Sequence, residues 1–397
     1  MVLEASDKVA LIIANRNYQI LDLGLRTPLS DAETLAEKLQ EMNFKTVVLA
    51  DLTLDEMKRM IVEFTNLLSD NVYAVFYFVG HGFQINGQCF LLPINNLIDM
   101  YLPEHCLPMN WILHKFMEFN TGMHVILLDI CRYEEPVNPL EFHLRAKQIF
   151  KIPQKIPVKP NTIFGFATST GGSSYEVVGE KNGVFMKYLK HHLSKDIPVL
   201  SMLQKVFRDV QNDPLISHVQ VPEFTCNLAY PRRLTDPLVT TGYTQTFNVH
   251  NLTWCNMHRL PDPVTLGVDA DTDICITIWI DFCGHFTNKC YIYSNVCKKE
   301  IENEDSAELK NNKLAYRACL EFDEPLSVAN PRLSEDPSEG VTLSYLVSGL
   351  QKVNGKVDCT ISLFKVDEND EVMEDNIIMK KTVSLGYILI TRLFENE

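Results

Sequence analysis

The sequence predicts an α/β domain, built on a mainly parallel sheet covered by helices, followed by an all-β sandwich. Three observations carry this. At 397 residues the chain exceeds what one hydrophobic core usually supports, so two domains are expected. Over residues 1–234, short apolar runs alternate with amphipathic helical stretches, the pattern of parallel strands joined by crossover helices. Past about Thr235 the long helical patterns stop, and short strand-like runs recur between turn signals, as in a sandwich over 261–397. Residues 235–260 read as a linker with a brief helix, Asn248–Met257, that carries Trp254.

Val9–Ala14 is apolar without alternation, which suits a strand buried on both faces. Ser30 is placed as the N-cap of a helix running to Leu39, with Ala32, Leu35, Ala36 and Leu39 along one face. A second strand, Lys45–Leu49, leads to a second helix, Leu54–Leu68, striped by Met57, Met60, Ile61, Phe64 and Leu68. Val72–Val79 is rich in β-branched and aromatic residues and runs into Gly80-His81-Gly82. Cys89–Ile94 follows as a hairpin strand and Trp111–Phe119 as a helix. The fourth strand, Val125–Ile130, ends on Cys131, and Arg132–Pro160 is expected as a surface loop. Thr162–Ala167 is a fifth strand, with helices at Gly183–Leu193 and Leu200–Val210. Sandwich strands are predicted at Ile274–Ile280, Cys290–Ser294, Leu314–Phe322, Val341–Val347, Val357–Phe364 and Ile377–Ile390, with an acidic loop at Glu300–Glu308.

Composition narrows the functional classes. A formal net charge of −15 argues against nucleic acid as partner, since phosphate binding wants clustered Lys and Arg. No apolar run is long enough to span a membrane, and the N-terminus has no signal-peptide pattern, so a soluble cytoplasmic protein is expected. The eleven cysteines are scattered rather than paired in spacing, which fits a reducing compartment. Cys226, Cys275, Cys319 and Cys359 lie in apolar stretches where free Cys packs as a small hydrophobe.

His81 and Cys131 stand out because each closes a predicted strand, and ligands of open parallel sheets bind beyond the carboxyl ends of the strands. A neighbouring imidazole makes a thiol nucleophilic by removing its proton. Glycines beside His81 admit a substrate backbone, and the Gly82 and Cys131 amides could serve a developing oxyanion. Taken singly, a strand-end Cys is ordinary packing and a His between glycines is an ordinary turn. The pair at neighbouring strand ends, fifty residues apart, points to chemistry. Alternation turns Asp129 to the same face as Cys131, into the site rather than the core.

Phe76-Tyr77-Phe78-Val79-Gly80-His81-Gly82 and Leu127-Leu128-Asp129-Ile130-Cys131-Arg132 resemble the two active-site strands of the caspase-like superfamily, most closely those of its paracaspases. Val9–Asn15, Gly165–Thr168 and Asn182–Lys187 extend the likeness, which covers essentially the whole chain and is weaker in the last domain. The resemblance implies a caspase-like sheet followed by an immunoglobulin-like sandwich, and a cysteine endopeptidase with His81 as base and Cys131 as nucleophile. Caspases carry Gln-Ala-Cys at the nucleophile, where the Gln helps receive an aspartate; Asp129 takes that place here. The family pattern adds Asp31 and Glu176, so three carboxylates would receive an arginine through charge-assisted bonds and repel an aspartate. Further implications are protein substrates and scaffold partners in signalling, a homodimer through the protease domains, and a Trp254 contact between the domains that influences activity. The Arg132–Pro160 segment, where caspases are cut after Asp, contains no Asp, so a single-chain active enzyme is expected, with Arg145 as a candidate self-cleavage point.

Two alternative readings are a calcium-dependent metacaspase-like protease and a catalytically silent caspase-fold scaffold. No cofactor and no metal is expected: Cys283, His285 and Cys290 with Cys255 and His258 are too irregularly spaced for a zinc site. His191-His192 reads as a solvated or dipole-favoured pair near the C-terminal part of a helix.

Overall fold

Apolar runs without alternation become the central strands of a parallel sheet. In the computed structural model, β1 (Lys8–Ala14) is buried at every residue. It leads through α1 (Pro28–Gln40), β2 (Lys45–Ala50) and α2 (Leu54–Thr65) to β3 (Tyr73–Val79), again buried throughout. A hairpin, β4 (Gly82–Ile85) and β5 (Gln88–Leu91), pairs with β6 (Leu107–Pro108) as a small separate sheet. Then follow α3 (Met109–Phe116), β7 (Met123–Asp129), α4 (Pro139–Ile149), β8 (Thr162–Phe166), α5 (Val184–Leu189), α6 (Val199–Asn212) and β9 (Glu223–Cys226). The structure describes residues 3–19, 24–95, 102–133, 138–156, 159–239, 245–269, 272–284, 286–298, 316–336, 340–366 and 377–394.

The chain divides into two units, Met1–Asn251 and Leu252–Glu397, with the boundary inside α7 (Gln245–Met257). In the first unit the strands run β2-β1-β3-β7-β8-β9, parallel except for the antiparallel last pair. Residues 236–239 stay with this unit: Leu238 bridges Ala5, and the Tyr73 hydroxyl donates to Asp236 at 2.7 Å. Helices on the sheet are held by stripes such as Leu35, Ala36 and Leu39 of α1 and Leu203, Val206 and Val210 of α6. Each large apolar side chain so buried contributes roughly 1.5–3 kcal/mol.

Three local expectations in the first unit need correction. Ser30 is not the N-cap of α1: the helix starts at Pro28, whose missing N–H costs nothing at the first position, and Thr27 precedes it. Ser30 instead donates its hydroxyl to Thr27 O at 2.9 Å and Lys181 O at 2.5 Å. The supposed loop Arg132–Pro160 contains α4, capped by Asn138, whose side chain accepts from the amides of Leu140 and Glu141. Only Phe142 and Ala146 of α4 are buried, packed with Tyr18, Phe83 and Phe90, and so narrow a stripe does not read as helical periodicity. Finally, α5 ends at Leu189, and His192 is no solvated side chain: its Nε2 lies 2.6 Å from Asp209 Oδ2.

The second unit is all β. It comprises β10 (Val264–Asp269), β11 (Thr272–Phe282), β12 (Phe286–Thr287), β13 (Lys289–Lys298), β14 (Tyr316–Glu321), β15 (Ser327–Val328), β16 (Arg332–Asp336), β17 (Gly340–Ser348), β18 (Val357–Lys365) and β19 (Ile377–Gly386). One antiparallel sheet runs β10-β11-β13-β17-β15, with β16 also on β17; another runs β14-β18-β19. Ser294 of β13 donates to Ala318 O of β14 at 2.6 Å, tying the two together. Instead of continuing to Ile390, the last strand stops at Gly386, which sits at φ +81°, and Leu389–Phe394 forms a 3-10 turn.

Candidate active site

The ladder between β3 and β7 pairs Tyr73 with Met123 and continues in step to Val79 with Asp129. The fifty-residue separation seen in the sequence is this register, so His81 and Cys131 each stand two residues beyond the same rung. Both line a pocket of about 60 Å³ with Asp31, Asp129, Glu176, Ser174 and Gly183. A larger cavity of about 520 Å³ lies elsewhere, beside α3 and β9, and its lining includes Cys226 but no histidine.

His81 is half-buried and held from behind by Tyr18, whose ring centroid lies 4.6 Å from the imidazole. The Tyr18 hydroxyl accepts from the His81 amide at 2.7 Å and donates to Leu92 O at 3.4 Å. Gly82 must be glycine: a Cβ there would meet Ile130 Cδ1 at 2.8 Å and Phe90 O at 3.0 Å. The Cys131 sulfur faces Ser174 O at 3.9 Å. Burial pushes its thiol up and the Asp129 charge adds to this, so the resting sulfur is protonated and needs a base.

The three carboxylates come from α1, the end of β7 and the segment before α5. Asp31, fully buried, accepts from Asn182 Nδ2 at 3.0 Å, Thr27 Oγ1 at 3.0 Å and the Gly183 amide at 3.0 Å. Burial and the charge of Asp129 raise it to about 7 despite those donors. Asp129 accepts from the Tyr77 hydroxyl at 3.2 Å and from Ser174, and burial with the Glu176 charge raises it to about 6. Glu176 is gathered by the amides of Arg26 and Thr27, the latter at 2.8 Å, and by Thr27 Oγ1 at 2.9 Å. Two buried carboxyl groups, Asp31 and Asp129, held above their ordinary range beside a third carboxylate, Glu176, make a site short of a cation.

A model of the caspase domain matches residues 7–231. The chain belongs to the caspase family. Among curated proteins, it is 31% identical over 98% of its length to the human protein named mucosa-associated lymphoid tissue lymphoma translocation protein 1, covering 46% of that protein. To the mouse homolog it is 30% identical over 98% of the chain and 45% of that protein. The chain thus spans about half the length of the curated relatives it matches. Caspase-1 from Spodoptera frugiperda superposes with a TM-score of 0.44 at 16% identity, covering 60% of this chain and 94% of that one, a likeness too loose to argue from.

Around this caspase-family site, sequence reasoning missed the residues that hold the carboxylates: Thr27, Tyr77, Ser174, Asn182 and Gly183. Tyr77 was accessible, because alternation along β3 sets it on the face of His81. Also missed was Arg132, directly after Cys131 and buried. Its guanidinium donates to Gln84 Oε1 at 2.9 Å, Thr168 O at 3.1 Å and Thr170 Oγ1 at 3.1 Å, and pairs with Glu223 of β9 at 2.5 Å. It also stacks 4.2 Å from the Phe166 ring centroid. This fork pins the 168–172 segment that leads to Ser174.

Trp254 lies in the second unit, its ring 4.4 Å from that of His258 and 5.7 Å from that of Phe286. Among the described residues no group of three or more His, Cys, Asp or Glu is placed to hold a metal; His285, near Cys283 and Cys290 in the sequence, lies outside them. Cys359 is buried and Cys275 and Cys319 half-buried, but Cys226 is exposed, contrary to expectation, because the short strand β9 is the last of its sheet. No helix among the described residues is long and apolar enough to cross a membrane.

Proposed function

We propose that this protein is a cysteine endopeptidase that cuts polypeptides after arginine. The observation that carries the reading is the shared pocket: His81 and Cys131 line it together with Asp31, Asp129 and Glu176. A guanidinium entering there meets three carboxyl groups, of which Asp31 and Asp129 are held above their ordinary range, and can bond two of them through its fork. An aspartate side chain would add a further negative charge and be rejected.

In the chemistry we infer, His81 takes the proton of the Cys131 thiol and the thiolate attacks the scissile carbonyl carbon. The amides of Gly82 and Cys131 hold the oxygen of the tetrahedral intermediate. His81 then gives its proton to the departing amine, leaving a thioester on Cys131. Water, activated by His81, attacks that thioester and frees the acid product and the thiol. The same reading includes a dimer made through the first unit, signalling proteins as substrates and partners in the cytoplasm, and an immunoglobulin-like second unit. It also includes an influence of Trp254 on turnover, which unchanged kinetics in a folded Trp254→Ala variant would remove.

A peptide chloromethyl ketone ending in arginine tests the assignment. It should alkylate Cys131 in the wild type, mapped by peptide mass, and react far more slowly in His81→Ala. Equal labelling by the aspartate analogue, or labelling spread over other cysteines, would overturn the pocket assignment.

A further inference from the structure

The all-β unit holds a second pair of reactive groups, unconnected with peptide cleavage. Cys275 of β11 and Cys297 of β13 are direct partners in an antiparallel ladder, and their sulfurs lie 2.9 Å apart. Residues opposite each other in such a ladder have Cα separations of about 4.5–5.5 Å, inside the roughly 4.4–6.8 Å range of disulfides. Alternation sets both sulfurs on one face of the sheet, since the neighbours Ile274, Ile276 and Val296 point into the core and are buried. Both cysteines are half-buried, so a small oxidant can reach them.

We propose that Cys275 and Cys297 are a thiol–disulfide modification site, taking a low-molecular-weight disulfide such as oxidised glutathione as the oxidant. The thiolate of one cysteine attacks a sulfur of the oxidant, forming a mixed disulfide and releasing one glutathione thiolate. The thiolate of the other attacks the protein sulfur of that intermediate, closing the Cys275–Cys297 bond and releasing the second glutathione. The two protein thiols are oxidised, the oxidant is reduced to two thiols, and the protons pass to the products. No backbone rearrangement is needed, because the ladder already holds the partners in register.

The bond would join two adjacent strands in the interior of the larger sheet, closing a loop between residues 22 apart in sequence. It should therefore raise the unfolding temperature of the second unit. Cys283 and Cys290 are the nearest competitor, close enough for the Cys283 charge to act on Cys290, but Cys290 is buried and burial pushes its thiol up. That disfavours the thiolate that exchange requires.

The deciding experiment incubates the whole protein with oxidised glutathione, removes the excess, blocks remaining thiols and maps peptides by mass. Fragmentation must separate Cys275 from Cys283 and Cys297 from Cys290, because trypsin leaves each pair on one peptide. The expected result is a Cys275–Cys297 link, a mass lower by two hydrogens, full reversal by dithiothreitol and retention of the link in Cys283→Ser. A link between Cys283 and Cys290, or full alkylation of both Cys275 and Cys297 after oxidation, would overturn the proposal. The wild-type map decides even if Cys275→Ser fails to fold.

Discussion

Asp129 and Asp31 sit above the ordinary carboxylate range for the same reason, burial reinforced by a neighbouring carboxylate, and this has two opposite consequences. In the unfolded chain both ionise near their ordinary values, so between there and about 6 to about 7 the folded state binds more protons. Their contribution is thus most favourable at low pH and is lost as pH rises through that window. Removing the charge should leave the protein at least as stable at pH 8 while crippling recognition. Asp129→Asn is expected to lower kcat/KM on arginine peptides by about 3 kcal/mol, roughly a hundredfold. Differential scanning at pH 8 should find no loss of thermal midpoint; a large drop would mean that Asp129 is held for stability. Arginine binding needs the ionised forms, so KM for arginine peptides should rise as pH falls through about 7 and about 6. A KM flat from pH 5.5 to 8 would contradict this. Arg132→Lys replaces a fork bound on four sides by a point charge, and a stability loss of about 2–4 kcal/mol with reduced turnover is expected, read from denaturant midpoints and kcat.

At the scale of elements, most of what brings His81 and Cys131 together was legible. Strands β1, β3 and β7 announce themselves as uninterrupted apolar runs, and their parallel register turns a fifty-residue spacing into adjacency. Asp129 could be placed by alternation, whereas Asp31 and Glu176 could be placed only through family likeness. Nothing local in the sequence says that the start of α1 meets the segment 174–183, because that contact spans about 150 residues. Helix α4 was missed for an energetic reason: it buries only Phe142 and Ala146, leaves Leu140, Leu144 and Ile149 exposed, and so lacks a periodic stripe. Its presence bears on self-cleavage. Arg145 lies within α4 and is paired with Glu104, whereas a protease needs an extended strand in its cleft. Intact mass should therefore remain a single chain after prolonged incubation. Phe142→Ala should weaken the docking of α4 by about 3–5 kcal/mol and expose a cut after Arg145. A split wild type would refute the first expectation, and an intact but active Phe142→Ala chain the second.

At the scale of the whole molecule, a caspase-family unit whose pocket holds His81 and Cys131 is followed by an all-β unit in which Cys275 and Cys297 face each other across a ladder. If the active form is a dimer made through the first unit, specific activity should rise with protein concentration alongside the dimer fraction measured by sedimentation. Activity per chain that stays constant in a purely monomeric range would remove dimerisation from the account. The central claim is arginine selectivity built from Asp31, Asp129 and Glu176 around Cys131. Hydrolysis of matched fluorogenic peptides ending in Arg, Lys or Asp, by wild type and Cys131→Ala with a calcium chelator present, tests it most directly. The predicted result is rapid release from the Arg peptide, little from Lys, none from Asp, and none at all from the variant. Cleavage of the Asp peptide, or Arg cleavage that survives in Cys131→Ala, would contradict it.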